Sequence, residues 1–383
     1  CKNREKKMKK ILFVIESLGG GGAEKVLTTI LRHLDKNKFD VTVLIVVETG
    51  EYIDEVKKHS KVQSILPDYN KLNNVIDKVK YKIEYKKIYK INPKKIYTKY
   101  IKEKYDIEIA FVEGYVTKLV MGSPNLNSRK ICWVHTDMEK NPYADRYFKT
   151  IEEEKETYRR YDKIVGASNS VKEVFEKKFG LKERVTTIYN PIDKKEILEK
   201  SQEKTTIKKG EKIQIVTVGR LEHQKGYDRL IKALGIIKKE TSNFQVWILG
   251  EGSMRQELEE LIHINNLENE VKLLGFIKNP YPFIEAGDAF VCTSRAEGYS
   301  LVIAEAMILG KPVLSVDCSG PNELLEYGKY GVLIKNTDEE ILRMLNSLIL
   351  GKFDLEKLQK LSEVRSKEFN LKNIMKKIEE LIE

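Results

Sequence analysis

This 383-residue sequence has no apolar run close to the roughly 20 residues that a membrane-spanning helix needs. Its longest apolar runs, such as Val41–Val47, have the length of strands. With only 23 Gly and 9 Pro, and with 41% hydrophobic residues, the chain is neither collagen-like nor disordered. At about 100–200 residues per domain, its length predicts two domains with full-sized cores. We expect a protein that is soluble or held only at a membrane surface.

Several chemical motifs are also missing. The four cysteines show no C-x-x-C spacing, and three lie in or beside strand-like apolar runs, which indicates buried thiols in a reducing cytosol. No D-x-D pair occurs, and no His, Cys and carboxylate cluster has metal-ligand spacing, so we expect no metal site. The absence of a Walker A sequence and of a G-x-S-x-G elbow disfavours nucleotide hydrolysis and serine-hydrolase chemistry.

Positive charge is concentrated near the N-terminus. Fifteen lysines and five acidic residues lie between Lys57 and Asp106, a net charge of +10. The segment Cys1–Lys10 carries a further +5, whereas the whole chain carries +11, so the remainder is slightly acidic. The charge is therefore a local property of these two segments.

Short apolar runs alternate with amphipathic stretches of helical length, the pattern of βαβ units in a parallel sheet. The first series of predicted strands is Ile11–Ile15, Val41–Val47, Ile107–Val112, Lys130–Val134, Lys163–Ala167 and Val185–Ile188. The second series is Ile213–Val218, Gln245–Leu249, Val271–Leu274, Ala289–Cys292, Pro312–Val316 and Gly331–Leu333. Two such series predict an α/β fold with two doubly wound, Rossmann-like sheets.

The domain boundary is predicted near Asn190-Pro191-Ile192-Asp193, ahead of the polar stretch 200–212. We assign residues 1–192 to the first domain, 193–369 to the second and 370–383 to a terminal amphipathic helix. Ligands of facing α/β domains bind at the carboxyl ends of the strands, in the cleft between the domains. The candidate site residues should therefore follow predicted strands.

The segment Ser294–Met307, SRAEGYSLVIAEAM, follows the predicted strand Ala289–Cys292. The helix starting near Ser300 is apolar on every face, so Glu305 is predicted to be buried, with its carboxylate directed back towards Glu297. Two such acceptors suit the hydroxyls of a ribose or a sugar. The backbone N–H groups of Gly298, Tyr299, Ser300 and Leu301 would form a helix N-terminus that attracts phosphate.

The segment Val218–Asp228, VGRLEHQKGYD, lies at the exit of the strand Ile213–Val218. Arg220 offers a forked donor and Lys225 a point charge, and together they could hold a diphosphate. The alternative is a solvated basic loop.

The glycine-rich segment Gly19–Lys25, GGGGAEK, directly follows the first strand and opens a helix. Its consecutive glycines would let the backbone approach a ligand closely, and the helix N-terminus would attract an anion. The dinucleotide fingerprint is incomplete because Glu24 stands where Gly or Ala is required. Since Glu48 ends the second strand, as in an NAD site, a dinucleotide site remains an alternative.

The segment Trp133–Asp137 follows another apolar strand and places His135 at a carboxyl end of the first sheet. We interpret His135 as a site residue, with a purely structural histidine as the alternative.

Together, these segments resemble the retaining glycosyltransferases of family 4, which have the GT-B fold. The resemblance runs from Lys9 to the terminal helix. It implies that Gly21 and Gly22 contact the donor phosphate, that His135 contacts the sugar near the reaction centre, and that Arg220 and Lys225 hold the diphosphate. It also implies that the final helix returns to the first domain.

By the same resemblance, Glu297 touches the transferred sugar and Glu305 binds the ribose. The base would stack over Leu274-Gly275-Phe276, beside Gly250-Glu251-Gly252. The implied catalytic set is His135, Arg220, Lys225 and Glu297. The implied donor-binding set is Gly21, Gly22, Arg220, Lys225, Gly250, Leu274, Phe276, Glu297, Gly298, Tyr299, Ser300, Leu301 and Glu305.

The expected function is metal-independent, retaining transfer of a hexose or N-acetylhexosamine from a nucleotide sugar, with UDP favoured, and no cofactor. The second domain would bind the donor, and the first a glycan or lipid-linked acceptor. The segment Cys318–Leu325, CSGPNELL, resembles the subset acting on bacterial capsule, lipopolysaccharide or related glycoconjugates. A nucleotide-sugar epimerase of the same fold and an inactive, glycosyltransferase-like partner protein remain alternatives.

The basic segment Lys57–Asp106 also contains seven tyrosines. Lysine stems and tyrosine rings at helical spacing suit an anionic membrane, which would place the enzyme in the cytoplasm, at the inner face of the cell membrane. Nucleic acid is not an expected partner because Arg is scarce in the segment and no recognition motif accompanies it. A merely solvated lysine-rich surface is the alternative.

Overall fold

The computed structural model describes residues 8–204 and 210–383. The chain divides into two compact units: one combines the chain up to Pro191 with Lys372–Glu383, and the other is Ile192–Leu371. Most of the basic segment Cys1–Lys10, the residue Cys1 and the middle of the polar stretch 200–212 lie outside the described residues.

The first unit is built on a seven-stranded parallel sheet. Its strands are β1 (Lys9–Ile15), β2 (Phe39–Val47), β3 (Lys61–Leu66), β4 (Ile107–Ala110), β5 (Arg129–Val134), β6 (Lys163–Gly166) and β7 (Val185–Thr187). The spatial order β3-β2-β1-β4-β5-β6-β7 reverses direction between β1 and β4. That reversal is a topological switch point, where α/β sheets leave a crevice for ligands.

Seven helices cover this sheet before the second unit begins. They are α1 (Gly22–His33), α2 (Ile53–His59), α3 (Val75–Ile88), α4 (Pro93–Tyr100), α5 (Tyr115–Met121), α6 (Ile151–Arg159) and α7 (Asn169–Phe179). Side-chain caps fix several starts: Asn74 accepts from the N–H of Asp77 at α3, and Ser168 accepts from the N–H of Val171 at α7.

The second unit contains a six-stranded parallel sheet. Its strands are β8 (Ile213–Val218), β9 (Phe244–Leu249), β10 (Val271–Gly275), β11 (Ala289–Cys292), β12 (Val313–Val316) and β13 (Val332–Ile334). The order β10-β9-β8-β11-β12-β13 places the switch point between β8 and β11. The prediction of two doubly wound α/β sheets is confirmed.

The first helix of the second unit precedes these strands, and the others lie between and after them. They are α8 (Lys194–Ser201), α9 (Tyr227–Ile237), α10 (Arg255–Ile264), α11 (Tyr281–Ala286), α12 (Leu301–Ile308), α13 (Ser319–Leu324), α14 (Asp338–Ile349) and α15 (Leu355–Ser366). Short 3-10 turns in the described chain are Tyr69–Lys71, Tyr143–Tyr147, Lys182–Arg184 and His223–Lys225.

The terminal helix α16 (Leu371–Ile382) packs with the first unit through its apolar face. Polar contacts reinforce this packing: Glu379 accepts a hydrogen bond from the N–H of Asp35 at 3.1 Å, and Arg129 donates to the carbonyl of Leu381 at 2.6 Å. None of the helices in the described ranges is long and apolar enough to cross a bilayer.

The segment Lys57–Asp106 differs from its sequence-based interpretation in two ways. It contains strand β3, which we did not predict because its apolar residues are few and lysines surround it. Its tyrosines also face inward more than expected: Tyr97 and Tyr105 are buried in the core. The rings of Tyr81, Tyr85 and Tyr89 contact one another in series.

Candidate active site

In the second unit, loops from neighbouring strands meet at the carboxyl edge of the sheet. The loop after β8 carries Arg220 and Lys225, and the loop after β11 carries Glu297. Because β8 and β11 are adjacent and parallel, both loops leave at the switch point. The structure therefore brings residues from the two strongest sequence motifs into one place.

The centre of this site is an ion pair. The Nζ atom of Lys225 lies 2.6 Å from Oε1 of Glu297, and the Ser294 hydroxyl donates to the same oxygen at 2.6 Å. The side chains of Lys225 and Glu297 are only 18% and 9% exposed. Oε2 of Glu297 accepts no hydrogen bond from the residues that the structure describes, so one carboxylate oxygen is available to a ligand.

A close backbone contact sets the position of Lys225. It ends a 3-10 turn, and Gly226 follows with φ +68°, a conformation that glycine adopts easily. A Cβ at Gly226 would lie 2.2 Å from the carbonyl oxygen of Thr293, which follows β11. The Thr293 hydroxyl donates to the Gly226 carbonyl at 3.1 Å. The two loops are thus held together just beside the ion pair.

Buried polar groups brace the loop that carries Glu297. Arg295 donates two hydrogen bonds to the carboxylate of Asp228, at 2.7 and 2.8 Å. Burial opposes the shift, but these bonds hold the pKa of Asp228 below its ordinary value. Asn336 accepts from Arg229 at 2.7 Å and donates to the carbonyl of Ser294 at 3.2 Å. The loop is therefore held in position by its own unit.

Arg220 is exposed, in contrast to Lys225. Within residues 8–204 and 210–383, its guanidinium group makes no hydrogen bond or ion pair. An exposed arginine at a switch point, directly after a buried strand, can bind an anion through its forked donors.

Helix α12 begins immediately after Ser300, close to the predicted start, and its residues Ile303–Ile308 are buried as its apolar sequence predicts. Glu305 is buried on this helix. The Ser300 hydroxyl is buried and has no hydrogen-bond partner in the described chain. Together with the first backbone N–H groups of α12, it offers polar contacts to a ligand at the helix N-terminus.

The loops after β9 and β10 extend this edge. The N–H of Gly250 donates to the carbonyl of Gly275 at 2.8 Å, and a Cβ at Gly250 would lie 1.9 Å from the carbonyl oxygen of Gly219. Leu274 lies near the end of β10, and Phe276 beyond it is 41% exposed. An exposed ring beside closely packed backbone is a surface on which a flat group can stack.

In the first unit, two predicted site segments lie at the carboxyl edge of its sheet. Gly21 caps α1, and Gly22 begins it, directly after the loop from β1. His135 follows β5, and its Nε2–H donates to the carbonyl of Phe111 at 2.9 Å. Burial lowers the pKa of His135, which favours the neutral imidazole with Nδ1 as an acceptor.

A buried carboxylate that we did not predict lies beside His135. Glu113 follows β4; it accepts from the N–H of His135 at 3.0 Å and from the hydroxyl of Thr136. Gly114, with φ +92°, lets the chain turn directly after it. The sequence did contain a pattern that could have indicated Glu113, because this residue directly follows a predicted apolar strand, as Arg220 nearly does. Glu113 is a positioning residue for the loop that carries His135.

The described residues contain no group of three or more His, Cys, Asp or Glu side chains that could hold a metal ion. Three features of the described residues can bind phosphate or hydroxyl groups: an arginine without a hydrogen-bond partner among them, a helix N-terminus and a carboxylate with one available oxygen.

Two protein-family models match this chain. The chain matches the family model described as Glycosyltransferase Family 4 over residues 20–196. It matches the model described as Glycosyl transferases group 1 over residues 199–367.

Two relatives illustrate the range of the similarity. The uncharacterized glycosyltransferase MJ1059 of Methanocaldococcus jannaschii is 31% identical over 296 residues, covering 67% of this chain and 72% of that protein. The N-acetylgalactosamine-N,N'-diacetylbacillosaminyl-diphospho-undecaprenol 4-alpha-N-acetylgalactosaminyltransferase of Campylobacter jejuni is 28% identical over 338 residues, covering 87% of each chain.

Among solved structures, Alr3699/HepE of Anabaena in complex with UDP superimposes with a TM-score of 0.72 at 21% sequence identity. The match covers 97% of this chain and 99% of that one. HepE has also been solved with UDP-glucose. This likeness shows a shared fold.

Proposed function

Because this chain belongs to the family 4 glycosyltransferases and has the GT-B fold, we propose that it transfers a hexose or N-acetylhexosamine from a UDP-sugar to a glycan or lipid-linked acceptor. Transfer proceeds without a metal ion and with retention of the anomeric configuration. The observation that carries the proposal is the Lys225–Glu297 ion pair at the switch point of the second sheet. On the same loop as Lys225, the guanidinium group of Arg220 has no partner among the described residues.

Arg220, Lys225 and the N-terminus of α12 provide the electrostatic part of the reaction. Breaking the bond between sugar and phosphate builds negative charge on the leaving diphosphate, and cations held in position stabilise that charge as it develops. Arg220 is free to donate to it. Lys225 is held in place by Glu297, so it is oriented before the donor binds.

Glu297, Ser300 and Glu305 provide the polar contacts to the donor. Oε2 of Glu297 accepts hydrogen bonds from hydroxyl groups of the transferred sugar, and Glu305 accepts hydrogen bonds from the hydroxyl groups of the ribose. The Ser300 hydroxyl and the N–H groups of Gly298, Tyr299 and Leu301 contact phosphate oxygens. Leu274 and Phe276 support the base, beside Gly250.

In the first unit, Gly21 and Gly22 offer backbone N–H groups to the donor phosphate, and neutral His135 binds the sugar near the reaction centre. The acceptor hydroxyl attacks on the face from which the diphosphate departs. Attack on this face retains the configuration in one step, so no covalent enzyme intermediate is needed. An oxygen of the departing diphosphate takes the hydroxyl proton.

The choice of donor and acceptor is supported by the relatives. HepE binds UDP and UDP-glucose, and the name of the Campylobacter jejuni relative gives a lipid diphosphate as its acceptor. We place this chain in the synthesis of bacterial surface polysaccharides or glycolipids.

Contact with an anionic membrane at the cytoplasmic face is supported by helix α3. Its outward residues Val75, Ile76, Val79 and Ile83 are between 48% and 76% exposed. Ile76, Val79 and Ile83 share one face because they are spaced three, four and seven positions apart, and Val75 lies four positions before Val79; lysines of the same helix border them. Such a face can bury apolar side chains among headgroups, while each nearby lysine adds about 1 kcal/mol of attraction to anionic lipid.

Co-sedimentation with vesicles tests the membrane contact. Binding to phosphatidylglycerol vesicles at low salt, weakened by Val79→Asp with Ile83→Asp, is expected. Failure to bind at low salt would discard this contact and leave a solvated lysine surface.

A panel of UDP-, GDP- and ADP-sugars tests the proposed function. We expect at least one UDP-sugar to raise the melting temperature and to be hydrolysed slowly to UDP and free sugar. Conversion of a UDP-sugar to its epimer without release of UDP would instead indicate an epimerase. Absence of both binding and turnover would indicate an inactive partner protein.

A further inference from the structure

A second polar cluster lies at the switch point of the first unit's sheet, and the site residues above do not include it. Glu16 directly follows β1, three residues before the glycine-rich loop. The Tyr89 hydroxyl donates to Oε1 of Glu16 at 2.5 Å, and the Tyr147 hydroxyl donates to the same oxygen at 3.5 Å. The three residues are far apart in sequence: Glu16 follows β1, Tyr89 follows α3, and Tyr147 ends a 3-10 turn.

Aromatic rings form the wall of this cluster. The ring centroid of Tyr89 lies 4.6 Å from that of Tyr115 and 5.8 Å from that of Tyr147. Arg146 donates to the Tyr147 hydroxyl at 2.8 Å and lies 4.8 Å from the centre of the same ring. The arrangement is a half-buried carboxylate surrounded by tyrosines, with one arginine at its exposed side.

The second carboxylate oxygen of Glu16, Oε2, has no hydrogen-bond partner in the part of the chain that the structure describes. Among residues 8–204 and 210–383, no group donates a hydrogen bond to Oε2, although Oε1 accepts two. Burial raises the pKa of Glu16, so the surroundings bear a cost for holding this carboxylate. Because the tyrosine hydroxyls occupy Oε1, Oε2 is the oxygen that a ligand hydroxyl can approach.

Carbohydrate is the ligand chemistry that fits these groups. A carboxylate oxygen accepts hydrogen bonds from sugar hydroxyls, and tyrosine rings pack against the C–H faces of a sugar ring. The position is also suitable, because ligands of α/β sheets bind at a switch point, beyond the carboxyl ends of the strands.

We propose that Glu16, with Tyr89 and Tyr147, forms a subsite that binds hydroxyl groups of the acceptor sugar. This inference rests on the proposed glycosyl transfer and names the residues of the first unit that select the acceptor. Oε2 of Glu16 accepts from the sugar hydroxyls, and the two tyrosine hydroxyls hold the carboxylate in place through Oε1.

The test uses octyl glycosides of glucose, galactose, N-acetylglucosamine and N-acetylgalactosamine below their micelle concentrations. Saturation-transfer NMR measures their binding to the full chain with UDP present. We expect at least one glycoside to bind wild type, and Glu16→Gln to weaken that binding about tenfold or more, since a hydrogen bond to a charged group is lost. Tyr147→Phe, which keeps the ring, should have a smaller effect.

Glu103→Gln is the matched control, because Glu103 is an exposed carboxylate whose partner Lys10 lies in the first part of β1, away from the strand's exit. It should bind the glycosides as wild type does. The proposal is overturned if no glycoside binds wild type, or if Glu16→Gln binds them equally well. Hydrolysis of UDP-sugar by wild type without acceptor separates this outcome from failure of the proposed function. Wild type that hydrolyses a UDP-sugar while Glu16→Gln has no effect on glycoside binding overturns only the subsite, whereas an enzyme without the proposed function shows no hydrolysis.

Discussion

The ammonium nitrogen of Lys225 lies 2.6 Å from a carboxylate oxygen of Glu297, although the two residues are 72 positions apart in the sequence. The cation that we assign to the diphosphate and the carboxylate that we assign to the transferred sugar therefore form one structural unit. The contact between Gly226 and Thr293 fixes the distance between their loops. Stability and turnover should consequently respond together to changes at this point.

The ion pair predicts energetic coupling in unfolding. Lys225→Met or Glu297→Gln alone leaves the other group without its partner in a mostly buried place, at a cost of about 1–3 kcal/mol. The double variant should lose less unfolding free energy than the two single variants lose together. The coupling energy measured by urea unfolding should be about 1–2 kcal/mol. The control pair Arg343–Glu340 lies on the surface of α14, and its coupling should stay below about 0.5 kcal/mol. Additive losses for Lys225 and Glu297 would contradict the pair.

Two glycines with the same backbone conformation allow the cost of backbone strain to be distinguished from the cost of a steric clash. Gly226 and Gly351 both have φ +68°, but only Gly226 has backbone within reach of an added Cβ. Gly351→Ala should cost about 1 kcal/mol of unfolding free energy, and Gly226→Ala about 2 kcal/mol or more, because Thr293 must also move. Thermal unfolding and UDP-sugar hydrolysis together measure this. Equal stability of the two variants would show that the two loops are not in close contact.

Arg220 should affect turnover without affecting stability, since its guanidinium group has no partner in the described chain. Arg220→Ala should lower UDP-sugar hydrolysis about 100-fold or more, the effect of losing a donor worth about 3–4 kcal/mol to the leaving group. Lys225→Ala should lower hydrolysis to a similar extent. Arg343→Ala, an equally exposed change on α14, should leave the rate unchanged. Wild-type rates in both site variants would overturn the site assignment.

Glu154 predicts a pH dependence of stability. Burial raises the pKa of Glu154 to about 7. The Nζ atom of Lys178, 3.8 Å from Oε2 of Glu154, opposes this shift. In the unfolded chain the group titrates near its ordinary value of 4.5. The folded state therefore binds the proton more tightly, and stability is lost as the pH rises through about 7. Glu154→Gln should be more stable than wild type by about 1–3 kcal/mol near pH 8, and the difference should vanish near pH 4.5.

Glu153→Gln provides the contrast on the same helix. Burial opposes the shift, but a hydrogen bond from Lys118 and one from the N–H of Lys149 lower the pKa of Glu153. The contribution of ionised Glu153 to stability is fully present above the pKa of the unfolded state. It is lost only as the pH falls through the lower pKa of the folded state. The effect of Glu153→Gln should thus be constant between about pH 5.5 and 8.5 in melting-temperature measurements. A flat difference for Glu154→Gln as well would contradict the raised pKa.

Much of the fold and part of the site could be predicted from local pattern. The apolar runs predicted every described strand of both sheets except β3, and helix α12 was predicted to be buried because apolar residues occupy all its faces. Arg220, Lys225 and Glu297 could be assigned to one edge of the second sheet because each lies in a loop that follows a buried strand. Parallel strands place such residues at one edge, so their position depends on nearby sequence alone.

The features that sequence analysis missed depend on distant partners. The pairing of Lys225 with Glu297 cannot be inferred from either segment, and neither can the use of Glu113 to hold His135. Strand β3 forms because β2 offers it an unpaired edge, although its own sequence is only weakly apolar. Tyrosines among lysines suggested an outward surface, but packing against the core placed Tyr97 and Tyr105 inside.

Calorimetric titration of UDP into the full chain tests the central claim most directly. Wild type should bind UDP at one site per chain, and Arg220→Ala should bind it about tenfold more weakly or worse, because a charge-assisted hydrogen bond is lost. Arg343→Ala should bind as wild type does. Wild type that binds none of UDP, GDP or ADP, or Arg220→Ala with unchanged affinity, would contradict a nucleotide-sugar site at the switch point between β8 and β11.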